Sequence, residues 1–250
     1  MTRRHPAALV PVPLVVLGIL LAACSNGSST STGKPTSPSS PTASTGHPSA
    51  SEPRSLRDFD GTIVPGRNRV PLISWGRTYP VDALIDVPDG FNTPGGWFVE
   101  NGQNGTQYGD LMFWGDVDRV DTNPCGAGRL VKPGPTVSDL AEALTGQVPH
   151  RTTTPKPVTI GGYRGLYVET TPPRDLSRCD GGQFTMWKLH DADRVSYSAD
   201  QPGTVFHLWI LDVDGQRVVV AVKVVPGHTT HAAEFVHMAE TSEFVKNLDE

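Results

Sequence analysis

A cluster of histidine and glutamate side chains near the C terminus has the spacing of some metal sites. Its members, three residues apart, are His228, His231, Glu234 and His237. Imidazole and carboxylate groups are common zinc ligands, but a helix with about 100° per residue would set His231 and His237 roughly 120° apart, with Glu234 between them. We therefore interpret them as a solvated helix face and expect no cofactor, with weak zinc binding as the alternative.

Cys24 is a candidate for lipid modification, because Leu21-Ala22-Ala23-Cys24 resembles a lipobox. Two arginines and an apolar run over residues 7–23 precede it, which is typical of a signal peptide over residues 1–23. Removal of that peptide would leave Cys24 as the N terminus, with a diacylglyceryl group on its sulfur. We predict a lipoprotein on the outer face of the cytoplasmic membrane. A retained transmembrane helix is the alternative, although a span needs about 20 apolar residues.

Cys125 and Cys179 are the two cysteines that remain after Cys24 is assigned to the lipid. In an exported protein such a pair is expected to form a disulfide. Closing a loop of about 55 residues would stabilise the domain by roughly 4 kcal/mol in the chain-entropy description. A redox or catalytic thiol pair is the alternative, but it would favour Cys-x-x-Cys spacing or a basic neighbour.

Two groups of aspartates superficially resemble calcium loops. One is Asp212 with Asp214, and the other is Asp116 with Asp118 and Asp121. Neither has the spacing that an EF-hand loop requires, which is three acidic or amide positions, a glycine and a distal glutamate. The sequence also contains no common nucleophile or phosphate-loop motif, so an active site would have to be assembled from distant residues.

Aromatic side chains are numerous enough that some could line a groove for a ligand or partner. Packing in a core is the alternative for each of them. The residues in question are Trp75, Trp97, Trp114, Trp187, Trp209, Tyr79, Tyr163 and Tyr167.

Composition divides the mature chain into a linker and a single domain. Residues 25–54 are rich in Ser, Thr and Pro and contain no large apolar side chain, so we predict a disordered linker over residues 24–56, beginning at the lipidated cysteine. Residues 57–250 are long enough for one globular domain. They carry 17 Lys and Arg against 25 Asp and Glu, a net charge of −8. The absence of a basic block argues against nucleic acid as a partner.

The clearest structural element is a β-hairpin over residues 204–225. Asp214-Gly215 separates its two apolar runs, and both residues tolerate the positive φ of a type I′ turn. The runs do not alternate with polar residues, so both faces of the strands should be buried. Residues 111–114 have the same character and are expected to pair with residues 97–100. Further strands are predicted at residues 158–160, 166–169, 184–189 and 195–199.

The first of two predicted helices spans residues 137–145. Thr136 is its predicted N-cap, Asp139 completes an acidic variant of the capping box, and Gly146 ends it.

The second predicted helix spans residues 231–244, after a cap at Thr229 or Thr230. Its buried stripe would include Phe235 and Met238. Helices must then cover the sheet, so we predict an α+β fold in which an antiparallel β-sheet is sandwiched between helices.

This order of elements resembles the PsbP-like layout, and several segments resemble bacterial lipoproteins of unknown function. The segments are Pro124-Cys125, Thr136-Val137-Ser138-Asp139-Leu140, Gly161-Gly162-Tyr163-Arg164-Gly165, Cys179-Asp180-Gly181-Gly182 and Leu208-Trp209-Ile210-Leu211-Asp212-Val213-Asp214-Gly215. The resemblance covers residues 77–245. It implies the α+β layout. Proteins with that layout are more often adaptors than enzymes, and the resemblance supplies no catalytic residue.

Three classes of function remain compatible with the sequence. We favour a non-enzymatic binding or sensing module, held at the membrane by its lipid anchor, with a small molecule or an envelope protein as its partner. A cell-wall enzyme with an unrecognised active site is the first alternative, since scattered carboxylates are present. A structural envelope protein is the second, and a pocket lined by aromatic side chains would argue against it.

Overall fold

The computed structural model describes residues 52–74, 78–103, 106–115, 117–126, 128–148, 151–188 and 196–247. Cys24, the predicted signal peptide and nearly all of the predicted linker lie outside the described residues, as do Trp75 and Asp116. Neither helix in the described part is long and apolar enough to cross a membrane.

The described residues form seventeen strands and two α-helices. In chain order these are β1 Arg54–Ser55, β2 Gly61–Thr62, β3 Gly66–Pro71, β4 Val81–Val87, β5 Asn92–Thr93, β6 Phe98–Gln103, β7 Thr106–Trp114, β8 Arg119–Asp121, β9 Leu130–Val131, α1 Val137–Thr145, β10 Arg151–Thr152, β11 Lys156–Ile160, β12 Tyr163–Thr171, β13 Phe184–Lys188, β14 Ser196–Ala199, β15 Val205–Val213, β16 Gln216–Val224, α2 Thr229–Glu240 and β17 Glu243–Lys246.

Nine strands form a central sheet around the predicted hairpin. Their order is β10-β12-β15-β16-β7-β6-β5-β2, and β11 also pairs with β12. The hairpin β15–β16 turns at Asp214 and Gly215, whose φ angles of 52° and 80° suit a type I′ turn. The predicted pairing next to it is confirmed as well, with Phe98 opposite Met112 in β6 and β7.

Side chains of the central hairpin point alternately into two separate cores. Val218 and Val220 pack into one core, whereas Val219 and Ala221 pack into the other. This is the period of two that a strand imposes. Both faces of the hairpin are therefore buried, as its unbroken apolar runs predict.

Further β-sheet provides much of the cover on both faces. One face packs against α2 and a sheet in the order β1-β3-β4-β17, and the other packs against α1 and a sheet in the order β14-β13-β8-β9. The predicted α+β fold, with an antiparallel sheet sandwiched between helices, is therefore wrong, since strands make up 48% of the structure and helices 15%. An apolar run shows that a face is covered, but it does not show which kind of element covers it.

Helix α1 has the predicted bounds and caps. Thr136 Oγ1 accepts a hydrogen bond from Asp139 N at 3.1 Å, and Asp139 Oδ2 accepts one from Thr136 N at 2.9 Å. Its buried residues are Leu140, Ala141 and Leu144.

Helix α2 differs from the prediction at both ends. His228 is its N-cap residue and makes no side-chain capping bond, so the threonine cap is wrong. The helix ends at Glu240, and Phe244 instead lies in β17, opposite Ala83 of β4. Pairing with a distant strand thus prevails over the local helical period.

The folded domain also begins slightly earlier than residue 57. Arg54 and Ser55 form β1, which pairs in parallel with β3, and Leu56 is buried. These residues anchor the end of the preceding segment to the first flanking sheet.

Candidate functional site

A cavity of about 350 Å³ opens beside the first flanking sheet, where separate segments of the chain meet. This volume is at the lower end of the range for small-molecule sites. The lining residues are Arg57, Asp58, Pro71, Leu72, Ile73, Ser74, Thr78, Tyr79, Val81, Asp82, Gly95, Trp97 and Asn247. They combine aliphatic and aromatic side chains with a small number of charged and hydroxyl groups, as ligand sites usually do.

Asp82 of β4 is a nearly buried carboxylate in the wall of this cavity, with 5% of its side chain exposed. Its Oδ1 lies 3.4 Å from Nη2 of Arg57, and its Oδ2 lies 3.5 Å from Nη1 of Arg69. Arg69 also donates to the carbonyl oxygen of Lys246 at 2.8 Å. Two guanidinium groups thus balance the buried charge, which would otherwise be costly.

Asp58 lies at the rim with a positive φ of 60°, which few residues other than glycine, asparagine and aspartate adopt readily. It is the third residue of a turn closed by a 2.9 Å hydrogen bond from Phe59 N to Leu56 O. Glycine or asparagine is usual at such a position. Aspartate tolerates this conformation as a single residue in a turn, so the turn holds a carboxylate at the rim.

Gly96 lets the opposite rim approach that turn at backbone contact distance. A Cβ atom at this position would collide with the carbonyl oxygen of Leu56. Gly96 N donates to Oγ1 of the buried Thr93 at 3.1 Å. The backbone of one rim therefore packs directly against the backbone of the other.

Trp97 presents an open aromatic surface to the cavity, with 40% of the residue exposed. Its ring meets Phe98 edge to face, with centroids 5.0 Å apart. A Cβ on Gly95 would come within 2.9 Å of the indole Nε1, so the absence of a side chain there makes room for the ring. The indole thus packs against Phe98 and remains partly accessible.

The other described tryptophans are core residues. Trp114 and Trp187 lie in one core, with ring centroids 5.5 Å apart, and Trp209 lies in the other. These three tryptophans therefore pack in a core rather than line a groove. Trp97 and Tyr79 are the described aromatic residues that line the cavity.

The histidine cluster is only partly brought together. His231 Nδ1 lies 2.9 Å from Glu234 Oε2, while His237 is exposed farther along α2. His228 stacks on Tyr108 with centroids 3.8 Å apart. Within the described ranges, no group of three His, Cys, Asp or Glu residues is placed to hold a metal ion.

Cys125 and Cys179, both buried, lie at disulfide-bonding distance across a sequence separation of 54 residues. The backbone N–H of Asp180 donates to the carbonyl oxygen of Cys125 at 2.9 Å, which reinforces the same junction. The predicted pair is therefore present, and such a pair is compatible with an extracellular location.

Three of the candidate calcium ligands make local hydrogen bonds in the described part, whereas the buried Oδ1 of Asp118 has no hydrogen-bond partner there. Asp212 Oδ1 accepts a hydrogen bond from Gly215 N at 2.9 Å in the hairpin turn. Asp214 Oδ2 accepts one from the Tyr163 hydroxyl at 3.1 Å. Asp121 Oδ1 similarly accepts one from the backbone N–H of Asn123 at 2.9 Å.

A fully buried charged group, Asp110, was not predicted. Its Oδ2 lies 2.6 Å from Nζ of Lys223, and its Oδ1 accepts a hydrogen bond from the Tyr197 hydroxyl at 3.1 Å. Burial raises the pKa of Asp110, although the neighbouring Lys223 opposes that effect. Burial, followed by the nearby Asp110 charge, raises the pKa of Tyr197 well above its ordinary value. This group cross-links the core rather than facing the cavity.

A second polar group lies on the opposite face of the central sheet. The Tyr167 hydroxyl is 2.7 Å from His207 Nδ1 and 3.4 Å from Glu169 Oε2. Burial lowers the pKa of His207, while Glu169 and Glu240 raise it to a smaller extent. Burial is also the main reason that the pKa of Tyr167 is raised. Cross-strand register brings these residues together, with Tyr167 opposite Trp209 and Glu169 opposite His207, so spacing along the chain does not reveal them.

No protein-family model matches this chain, and a search of curated proteins finds no significant relative. The functional interpretation must therefore rest on the cavity itself.

Proposed function

We propose that this protein is a membrane-anchored extracytoplasmic lipoprotein whose domain acts as a non-enzymatic binding module for a small molecule. The observation that carries the proposal is the cavity beside Trp97. It places an exposed aromatic face next to charged groups on a rim held by glycine contacts.

The rigidity of the cavity favours binding. Thr93, Gly96 and the turn at residues 56–59 fix the rim through backbone contacts. A site that is already formed loses little conformational freedom when a ligand enters, and this improves affinity.

The charged groups favour recognition over catalysis. Asp82 is held between two guanidinium groups, whereas a general acid or base must be free to exchange a proton with the substrate. The lining residues in the described part include neither histidine nor cysteine. These groups are suited to orienting a ligand.

The predicted lipobox supports the location. Diacylglyceryl modification of Cys24 would give the domain two acyl chains, and stable anchoring needs two membrane signals. The Cys125–Cys179 pair suits an oxidising compartment.

The binding function is testable by ligand-observed NMR with the full chain and a library of chemically diverse fragments. We expect hits whose signals are lost in Trp97→Ala. Leu130→Ala is the matched control, because Leu130 is also a large apolar residue, is 37% exposed, and lies in β9 outside the cavity lining. Hits that bind wild type and Trp97→Ala equally, or no hits at all, would contradict the proposal.

The anchor is tested separately by membrane fractionation of cells that express the full chain. Cys24→Ala should leave the precursor unprocessed or release the protein from membranes, while Ser25→Ala should behave as wild type. A Cys24→Ala protein that is processed and retained normally would show that the lipobox interpretation is wrong.

A further inference from the structure

We propose that the cavity binds a neutral saccharide, with a sugar ring stacked on Trp97 and its hydroxyl groups bound by Arg57, Asp58 and Asp82. This inference rests on the proposed binding function and specifies its ligand class.

The accessible face of Trp97 suits a ring that has an apolar side. A pyranose presents aliphatic C–H groups on its faces and hydroxyl groups around its edge. Packing of the C–H face on an indole buries apolar surface, and the edge remains free for hydrogen bonds. Phe98 packs against the indole, and Gly95 leaves room for it.

The polar lining contains donors and acceptors in close proximity. The Arg57 guanidinium only donates hydrogen bonds, and the carboxylates of Asp58 and Asp82 only accept them. Ser74 and Thr78 add hydroxyl groups, which do both. A sugar hydroxyl also donates and accepts, so each of these groups has a complementary partner on the same ligand.

The charge of the site favours a ligand without net charge. The described charges at the site sum to zero, because Asp82 contacts both Arg57 and Arg69, which lies behind the wall, and Asp58 is the fourth charged group. A cationic ligand would face Arg57, and an anionic ligand would face the two carboxylates. Either would place like charges together in a partly desolvated site, where the cost is greater than in water.

The turn at Asp58 places an exposed carboxylate at the rim of the cavity. Glycine fits the φ of 60° without strain, and asparagine and aspartate both tolerate it as single residues. Aspartate adds a charged acceptor at the rim, and the cavity volume of about 350 Å³ leaves room beside it for a small ring-shaped ligand.

The test compares sugar rings that differ in charge. Glucose, galactose and N-acetylglucosamine are the neutral probes, glucosamine is the cationic probe and glucuronate is the anionic probe. Cyclohexanol controls for apolar stacking alone. Binding is measured by saturation-transfer NMR and calorimetry on the full chain, purified in a detergent without a sugar headgroup.

We expect at least one neutral sugar to bind about 10-fold more tightly than either charged ring and than cyclohexanol, a difference that is readily measured. Trp97→Ala and Asp58→Asn should each weaken that binding by about 5-fold or more, while Leu130→Ala should not. Circular dichroism and thermal unfolding confirm that each variant is folded, and Asp58→Asn suits the same turn conformation.

The remaining outcomes distinguish the two proposals. Tighter binding of glucosamine or glucuronate, or sugar binding that survives Trp97→Ala, overturns the neutral-saccharide inference. If no sugar binds but library fragments bind in a Trp97-dependent manner, the inference is wrong and the binding function stands. If neither binds, both are wrong.

Discussion

His207 is a histidine whose burial favours its neutral form. Tyr167 lies 2.7 Å from its Nδ1, Glu169 Oε2 lies 4.0 Å away, and the ring of Trp209 covers one side. Only 19% of its side chain is exposed. Burial lowers its pKa more than Glu169 and Glu240 raise it, so folding disfavours protonation.

His207 should therefore contribute to loss of stability in acid. Its folded-state pKa lies below the ordinary value of 6.5, so the unfolded chain takes up the proton first. The stability that comes from keeping His207 neutral is fully present above the ordinary pKa of the unfolded chain. It is lost as the pH falls from there through the folded-state pKa. We expect the free energy of unfolding, measured with urea, to fall less in His207→Gln than in wild type as the pH is lowered from about 7.5 to about 5.

His237→Gln serves as the control for that series, because His237 is exposed on α2. It should retain the pH dependence of the wild type. Identical pH profiles for wild type and His207→Gln would contradict the assignment.

At the scale of elements, α1 depends on a reciprocal cap. Asp139 accepts hydrogen bonds from Thr136, which lower the pKa of its carboxyl group, and Thr136 satisfies Asp139 N in return. We expect Thr136→Ala to lower the free energy of unfolding by about 1 kcal/mol. Urea denaturation checks this value. Ser138→Ala changes an exposed position in the same turn, and an equally large loss in that variant would argue against the cap as the cause.

Elements that depend on nearby residues could be predicted from the sequence. The α1 cap involves residues three apart, and the hairpin turn needs only Asp214-Gly215 between apolar runs. The flanking sheets could not be predicted in this way. β4 finds its partners in β3 and in β17, which follows about 160 residues later. The last turn of the expected second helix became a strand for the same reason.

The cavity was harder to predict than the fold, because it combines side chains from distant segments. Trp97 belonged to a set of eight aromatic candidates, and the sequence could not distinguish it from the tryptophans of the core. The adjacent Gly95-Gly96 was the available local signal, since paired glycines often mark a close backbone approach. Arg57 and Asp82 meet only after β1, β3 and β4 have paired.

At the scale of the whole molecule, the Cys125–Cys179 pair connects the segment after β8 with the segment before β13. These strands belong to the second flanking sheet. We expect the double variant Cys125→Ser/Cys179→Ser to lose up to about 4 kcal/mol of stability, because the unfolded chain regains the freedom of the closed loop.

Urea midpoints with and without reductant provide the measurement. Reduced wild type should approach the midpoint of the double variant, whose own midpoint should not respond to reductant. Thiol titration of the unfolded, non-reduced wild-type domain should find neither sulfhydryl free. Matching midpoints for oxidised wild type and the double variant would show that the pair does not stabilise the fold.

The central hairpin also determines how the domain unfolds. Because adjacent residues such as Val219 and Val220 belong to opposite cores, a strand cannot leave one core without exposing the side chains that fill the other. The two cores are therefore thermodynamically coupled, and unfolding of either one destabilises the other. The molecule should behave as a single cooperative unit on heating, with one heat-absorption peak whose calorimetric and van't Hoff enthalpies agree.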